Sequence, residues 1–253
     1  EPDMHEPTGD FERVKRALEE QWQITGVQAE LTLLRRLQPA LRKGEWKITV
    51  ALNKGNHDTD YHLLDLWPGY HEGPLLGLAI DLGSTTIAAH LCDLTDGKVL
   101  ASAGVMNPQI RFGEDLMSRV SYAMMNPGGD VEMTAAVRAS INTLVGEIAA
   151  EAKVDATAIY ELVFVCNPVM HHLLLGIDPV ELGQAPFALA TSGSLSFDAR
   201  ELDLTAVART ARVYVLPCIA GHVGADCAAV ALAEEPNKSD DMVLIVDVGT
   251  NAE

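Results

Sequence analysis

None of the four cysteines, Cys92, Cys166, Cys218 and Cys227, belongs to a C-x-x-C pair. Neither a zinc ribbon nor an iron–sulfur loop is therefore encoded. No apolar run is long enough to span a bilayer, and the opening residues, Glu1 to His5, are polar and acidic, unlike a secretory signal. Positive charge is scarce: 18 Lys and Arg face 36 Asp and Glu, for a net charge of −18. That balance argues against nucleic acid or membrane as a partner. It serves solubility, or a surface that meets a basic partner. Lone thiols with no signal segment imply buried free cysteines and a cytoplasmic protein. There is no initiator Met, and the sequence stops at Asn251-Ala252-Glu253, just past a loop. An internal piece of a longer protein is expected.

What is present is ample apolar material, 48% of 253 residues, enough for one large domain or two smaller ones. Leu76-Gly77-Leu78-Ala79-Ile80-Asp81-Leu82-Gly83-Ser84-Thr85-Thr86 organises the rest. It reads as a buried strand ending in one carboxylate, Asp81, then a turn at Gly83, where glycine permits backbone angles closed to other residues. Ser84, Thr85 and Thr86 follow with three hydroxyls and successive N–H groups, the makings of an anion-binding nest. A carboxylate beside such a nest suits hydrated Mg²⁺ carried by a nucleotide. The same grammar returns in Val243 to Val248, with Asp247, Gly249, Thr250 and Asn251 in the corresponding places. Two distant copies suggest duplication of a half-domain, with the halves facing each other across the phosphates.

Residues 1–73 read as a small separate unit. A helix starts near Pro7-Thr8-Gly9-Asp10, and a second, bent near Pro39, carries Leu31, Leu34, Leu37 and Leu41. Strands follow around Trp46–Leu52 and Tyr61–Trp67, then a linker from Pro68 to Pro74. From residue 75 the order is a three-stranded meander through Cys92 and Val105, turned at Asp96-Gly97, and then helices. One carries Leu116, Val120 and Met124. The next, capped by Asp130, carries Val137, Ile141, Leu144, Val145 and Ile148. A strand at 162–166 leads to a short helix, residues 178–212 read as loops, and a strand at 213–216 precedes a small-residue helix at 227–233. This is an α/β (α+β) chain: a small α+β unit, then a mixed sheet flanked by helices, restarting as a second copy.

The series Asp81-x-Gly83-Ser84-Thr85-Thr86, Gly224-Ala225-Asp226-Cys227 and Asp247-x-Gly249-Thr250 resembles the phosphate loops and connecting helix of the ASKHA superfamily, the ribonuclease H-like, actin-like ATPases. Within it, Asn107-Pro108-Gln109, Gly113 to Arg119, Asn167 to Leu173, Val223 to Asp226 and Gly249 to Glu253 are similar to the reductive activators of corrinoid proteins. The front unit, with Asp10-Phe11-Glu12-Arg13 and Gly44-Glu45-Trp46, looks like that family's middle or linker domain. The resemblance implies ATP and Mg²⁺ as cofactors and a corrinoid (cobalamin) methyltransferase protein as partner. Its cobalt would be returned from Co(II) to Co(I). It also implies an electron donor acting through an iron–sulfur domain outside residues 1–253, and a homodimer. Ala252 stands where that family commonly has glycine.

On this reading Asp81 holds Mg²⁺ through water, and Gly83, Ser84, Thr85 and Thr86 hold phosphate oxygens. Asp247, Gly249, Thr250 and Asn251 do so from the other half, and Asp226 orients water or metal or simply caps its helix. Glu114, Asp115 and Arg119 form either a partner-binding or interdomain network or a solvated helix face. His171 and His172 project about 100° apart on a helix, poorly placed to share a metal. Met124 and Met125 read as core filling. Two other functions share the fold: a small-molecule kinase and a non-catalytic actin-like scaffold.

Overall fold

A computed structural model describes residues 4–5, 7–55, 60–238, 241–242 and 244–245. The chain divides into two units, Glu1–Pro74 and Leu75–Glu253.

In the front unit, α1 (Asp10–Trp22), β1 (Val27–Gln28), α2 (Leu31–Lys43), β2 (Ile48–Lys54) and β3 (Tyr61–Pro68) follow in order. The sheet order is β1-β3-β2, with β1 parallel and β2 antiparallel to the central strand. Val14 and Leu18 of α1 meet Leu33, Leu37 and Leu41 of α2 and Leu63 and Leu66 of β3 in one core. The helical spacing of those leucines is what folds α2 onto the sheet. Pro39 does not break α2, which runs on to Lys43. Proline removes one backbone donor there, and the buried leucine face outweighs that loss. The two-residue β1 is too short for any periodic signal.

The second unit carries β4 (Leu76–Leu82), β5 (Thr86–Asp93), β6 (Lys98–Met106), α3 (Leu116–Met125), α4 (Gly129–Ala152), β7 (Ile159–Cys166), α5 (Pro168–Leu175), β8 (Leu195–Asp198), β9 (Arg212–Val215) and α6 (Ala225–Glu234). The six strands form one mixed sheet in the order β6-β5-β4-β7-β9-β8. β4, β5 and β6 make the antiparallel meander, while β7 runs parallel to both β4 and β9. Residues 178–212 are not loops throughout. They contain β8, which pairs antiparallel with β9 at the sheet edge.

β4 is half-buried rather than wholly buried. Leu76, Leu78, Ile80 and Leu82 point into the core, while Ala79 and Asp81 are exposed on the other face. The two-residue period of a strand places Asp81 on that open face. Along α4, Met133, Val137, Ile141, Leu144, Val145 and Ile148 are fully buried. This apolar stripe packs against β5 and β6. Each such side chain contributes about 1.5–3 kcal/mol on burial. Asp130 is not the cap of α4. Gly128, at φ 85°, takes that place, and Asp130 lies in the first turn beside the positive end of the helix dipole. Met124 and Met125 are 64% and 71% exposed. α3 ends at Met125, so its last residues run past the surface that buries Val120.

Candidate phosphate-binding site

Because β4, β7 and β9 are parallel, the segments that follow them gather at the C-terminal ends of these strands, where open α/β sheets place their ligands. The loop after β4, the start of α5 and the approach to α6 meet there.

The loop is braced from behind. Asn107, wholly buried, donates its side-chain amide to the Gly83 carbonyl at 2.8 Å, and its own N–H reaches the Thr85 carbonyl at 2.8 Å. The Arg119 guanidinium donates to the Ser84 carbonyl between them. In a trans peptide, the N–H lies opposite the C=O. Drawing the Gly83 and Ser84 carbonyls inward thus turns the Ser84 and Thr85 amides to the opposite side, as an anion nest requires. Ser84 is 7% exposed, whereas Thr85 and Thr86 are exposed. The three hydroxyl residues are therefore not equivalent.

Glycine is needed at position 83 for a reason other than the one expected. Its φ is not in the left-handed region. A Cβ there would lie 2.7 Å from the Thr86 carbonyl oxygen, so the loop closes too tightly for any side chain.

Arg119 lies on no solvated face. It is 0% exposed. Its Nε donates to the Gly113 carbonyl at 3.0 Å, and Nη1 faces the Gln109 side-chain oxygen at 3.4 Å and Met170 Sδ at 3.2 Å. Gln109, also fully buried, donates to the Met133 carbonyl at 2.9 Å and so ties the cluster to α4. Glu114 and Asp115 are the exposed part of the predicted trio. Asp115 caps α3 by accepting the Ser118 N–H at 2.7 Å, and that bond holds its carboxyl below the usual range. Sequence reasoning had given Asn107, Gln109 and Met170 no role in the site. The usable signal was an Asn-Pro step before a helical turn. It occurs at Asn107-Pro108, Asn126-Pro127 and Asn167-Pro168, and at the first and third the Asn side chain caps the turn.

Asp226 is not the cap of α6. Gly224 is, and Asp226 sits in the first turn, accepting the Cys227 N–H at 2.9 Å. A Cβ on Gly224 would fall 2.6 Å from both Asn167 Cα and the Cys166 carbonyl oxygen. This backbone-to-backbone approach seats the start of α6 on the end of β7. Asp81 stands in register with Val165 of that strand. Both Asp81 and Asp226 reach Cys166 electrostatically: burial pushes its thiol well above the usual range, and the neighbouring Cys218, Asp226 and Asp81 add to the rise. The structure thus brings the two carboxylates to the same strand end. Cys218 is likewise pushed up, to about 11, chiefly by burial. Both thiols are protonated and unreactive near neutral pH. His171 and His172 are buried in α5, with rings 5.8 Å apart and edge-on. His172 Nε2 accepts the Ala190 N–H. Asp247, Gly249, Thr250 and Asn251 lie outside the described residues.

Among the described residues, no group of three His, Cys, Asp or Glu could hold a metal ion, and no helix is long and apolar enough to cross a membrane.

Comparison with known proteins returns the same family from several directions. The RACo linker region matches residues 1–73, and the RACo middle region matches residues 76–239. The front unit, expected to be a middle or linker domain, thus matches the linker region. The corrinoid activation enzyme RamQ of Eubacterium limosum is 33% identical over 182 residues, 72% of this chain and 30% of that protein. The solved structure of a reductive activator for corrinoid, iron-sulfur protein superposes over the whole chain with a TM-score of 0.90 at 30% identity. The chain spans 40% of that protein.

Proposed function

The chain belongs to the family of reductive activators of corrinoid proteins, and from that premise we propose that it is the ATP-binding coupling module of such an activator. The full-length protein would use ATP to drive one electron onto the cobalt of a corrinoid methyltransferase protein, converting Co(II) to Co(I). The electron comes from an external donor through an iron–sulfur domain outside residues 1–253. The cobalt is substrate, and this segment carries no electron.

The observation that carries the reading is the loop after β4, with its carbonyls pinned inward by Asn107 and Arg119. That arrangement presents amides, together with the exposed Thr85 and Thr86, to a polyphosphate. Asp81 adds a carboxylate on the open face of the same strand end. One carboxylate plus phosphate and water is what Mg²⁺ accepts, since it keeps most of its hydration. Mg²⁺ bound with the nucleotide would screen the phosphates, and Asp81 would fix its position through water. Asp226, at the start of α6, would orient a water or the metal from the neighbouring strand. Asp247, Gly249, Thr250 and Asn251 would close on the phosphates from the second half. Glu114 and Asp115, exposed at the head of α3, are free to face another domain or the corrinoid protein.

Coupling follows from differential binding. Nucleotide can favour the state that holds the corrinoid protein only by binding that state more tightly. α6 is poised for this role. It begins at the site beside Asp226, and apart from Ala225 its residues are not buried.

Titration of the full-length protein with ATP, with and without Mg²⁺, tests the module directly. Asp81→Asn should weaken Mg·ATP binding about tenfold and remove most of the difference that Mg²⁺ makes. Unchanged Mg²⁺ dependence in that variant would remove Asp81 from the site.

A further inference from the structure

Arg119 is a cation buried among neutral acceptors. Its nitrogens face the Gly113 and Ser84 carbonyls, the Gln109 side-chain oxygen and Met170 Sδ. Among the described residues no carboxylate lies within ion-pair distance. Asp115 is the acidic group among the described residues that acts on it, and its carboxylate is exposed and engaged with Ser118. Burial lowers the guanidinium to about 10, so it remains charged near neutral pH. A buried, unpaired charge is costly and is normally neutralised. Here it sits directly behind the loop that is read as the phosphate site.

We infer that Arg119 is the electrostatic backstop of the phosphate loop: its charge attracts the polyphosphate through the Ser84–Thr85 peptide without touching it. This rests on the nucleotide-binding reading above. Two effects act together. The guanidinium polarises the Ser84 carbonyl, and the Thr85 N–H of the same peptide becomes a stronger donor on the opposite side. The full positive charge also acts through the buried Ser84, where salt screens it weakly. The incoming phosphates supply the counter-charge that the protein withholds. Arg119 is a positioning residue, and its contribution grows with the number of phosphate charges.

The test is a titration of the full-length protein, wild type, Arg119→Met and Arg119→Lys, with Mg·ATP, Mg·ADP and adenosine. Arg119→Met should lose about tenfold or more in affinity for Mg·ATP, less for Mg·ADP, and under about twofold for adenosine. Arg119→Lys should recover part of the Mg·ATP loss. An equal loss for all three ligands, or a Lys variant no better than Met, would reduce Arg119 to a structural strut and overturn the inference. Should the Met variant fail to fold, the Lys variant decides alone. Its ATP-to-adenosine affinity ratio should stay within about threefold of wild type, and a tenfold fall would overturn the inference. Wild-type protein that binds none of the three would instead refute the nucleotide reading itself, which separates the two failures.

Discussion

Asn107 shows how much one buried side chain can hold. It caps the turn at Pro108–Phe112, pins the Gly83 carbonyl and approaches Met170 Sδ at 3.6 Å. Asn107→Ala takes that partner from the Gly83 carbonyl and from the Gln109 N–H. It should cost about 2–3 kcal/mol in urea denaturation and weaken Mg·ATP binding as the loop relaxes. His171 weakens the fold on the acid side of neutrality. Among the described residues neither of its ring nitrogens has a hydrogen-bond partner, and burial lowers its pKa to about 4, with the neighbouring His172 adding to the shift. Between about pH 6.5 and 4 the unfolded chain takes up a proton that the folded chain refuses. Stability therefore falls as pH drops through that window, by up to about 3 kcal/mol. His171→Leu should flatten this part of the pH profile, as measured by urea midpoints at pH 7 and pH 4.5. At this scale the sequence was half legible. Asp81 and the hydroxyl run announced themselves by position after an apolar strand. Arg119 did not, because the acidic Glu114 and Asp115 before it mimic the start of a solvated helix. Only the fold brings the Ser84 carbonyl, 35 residues away, against the guanidinium.

Elements position the site by close approach of backbones. Gly224 lets the start of α6 touch the end of β7, and that contact brings Asp226 to the strand end that Asp81 shares. Gly224→Ala must push the helix off Cys166 and Asn167. It should cost about 1–3 kcal/mol and lower nucleotide affinity with it, read by denaturation midpoint and by titration with Mg·ATP. Strands and helices with strong periods were legible, among them the β4–β6 meander, β7 and the apolar stripe of α4. Two elements escaped: β1, two residues long, and β8, whose residues are all of intermediate exposure. β1 is too short to alternate, and Leu195-Ser196-Phe197-Asp198 alternates over only four residues, so each is defined by its partner strand more than by its own pattern. Sequence likewise reads the end of α3 as core at Met124, because a helical period says nothing about where the opposing surface stops.

At the scale of the molecule, the two units are each compact around their own cores, with Leu75 opening the second. The segment between them is anchored at its start, where the Thr49 hydroxyl donates to the Gly69 carbonyl and accepts the His71 N–H. Glu72, exposed just beyond those anchors, should be the preferred cut for a glutamyl endopeptidase. The expected products begin at Gly73 and end at Glu72, with helical circular dichroism retained; scattered cleavage within either unit would contradict this division.

Nucleotide held at the loop after β4 is proposed to power cobalt reduction. The direct measurement follows the Co(I) absorption band of a Co(II) corrinoid methyltransferase protein mixed with reductant and the full-length activator. It is made with and without Mg·ATP, for wild type and for Asp81→Ala. Co(I) should appear only with Mg·ATP and only with wild type. Hydrolysis of ATP with no cobalt reduction, or Co(I) formed equally by the Asp81→Ala variant, would contradict it.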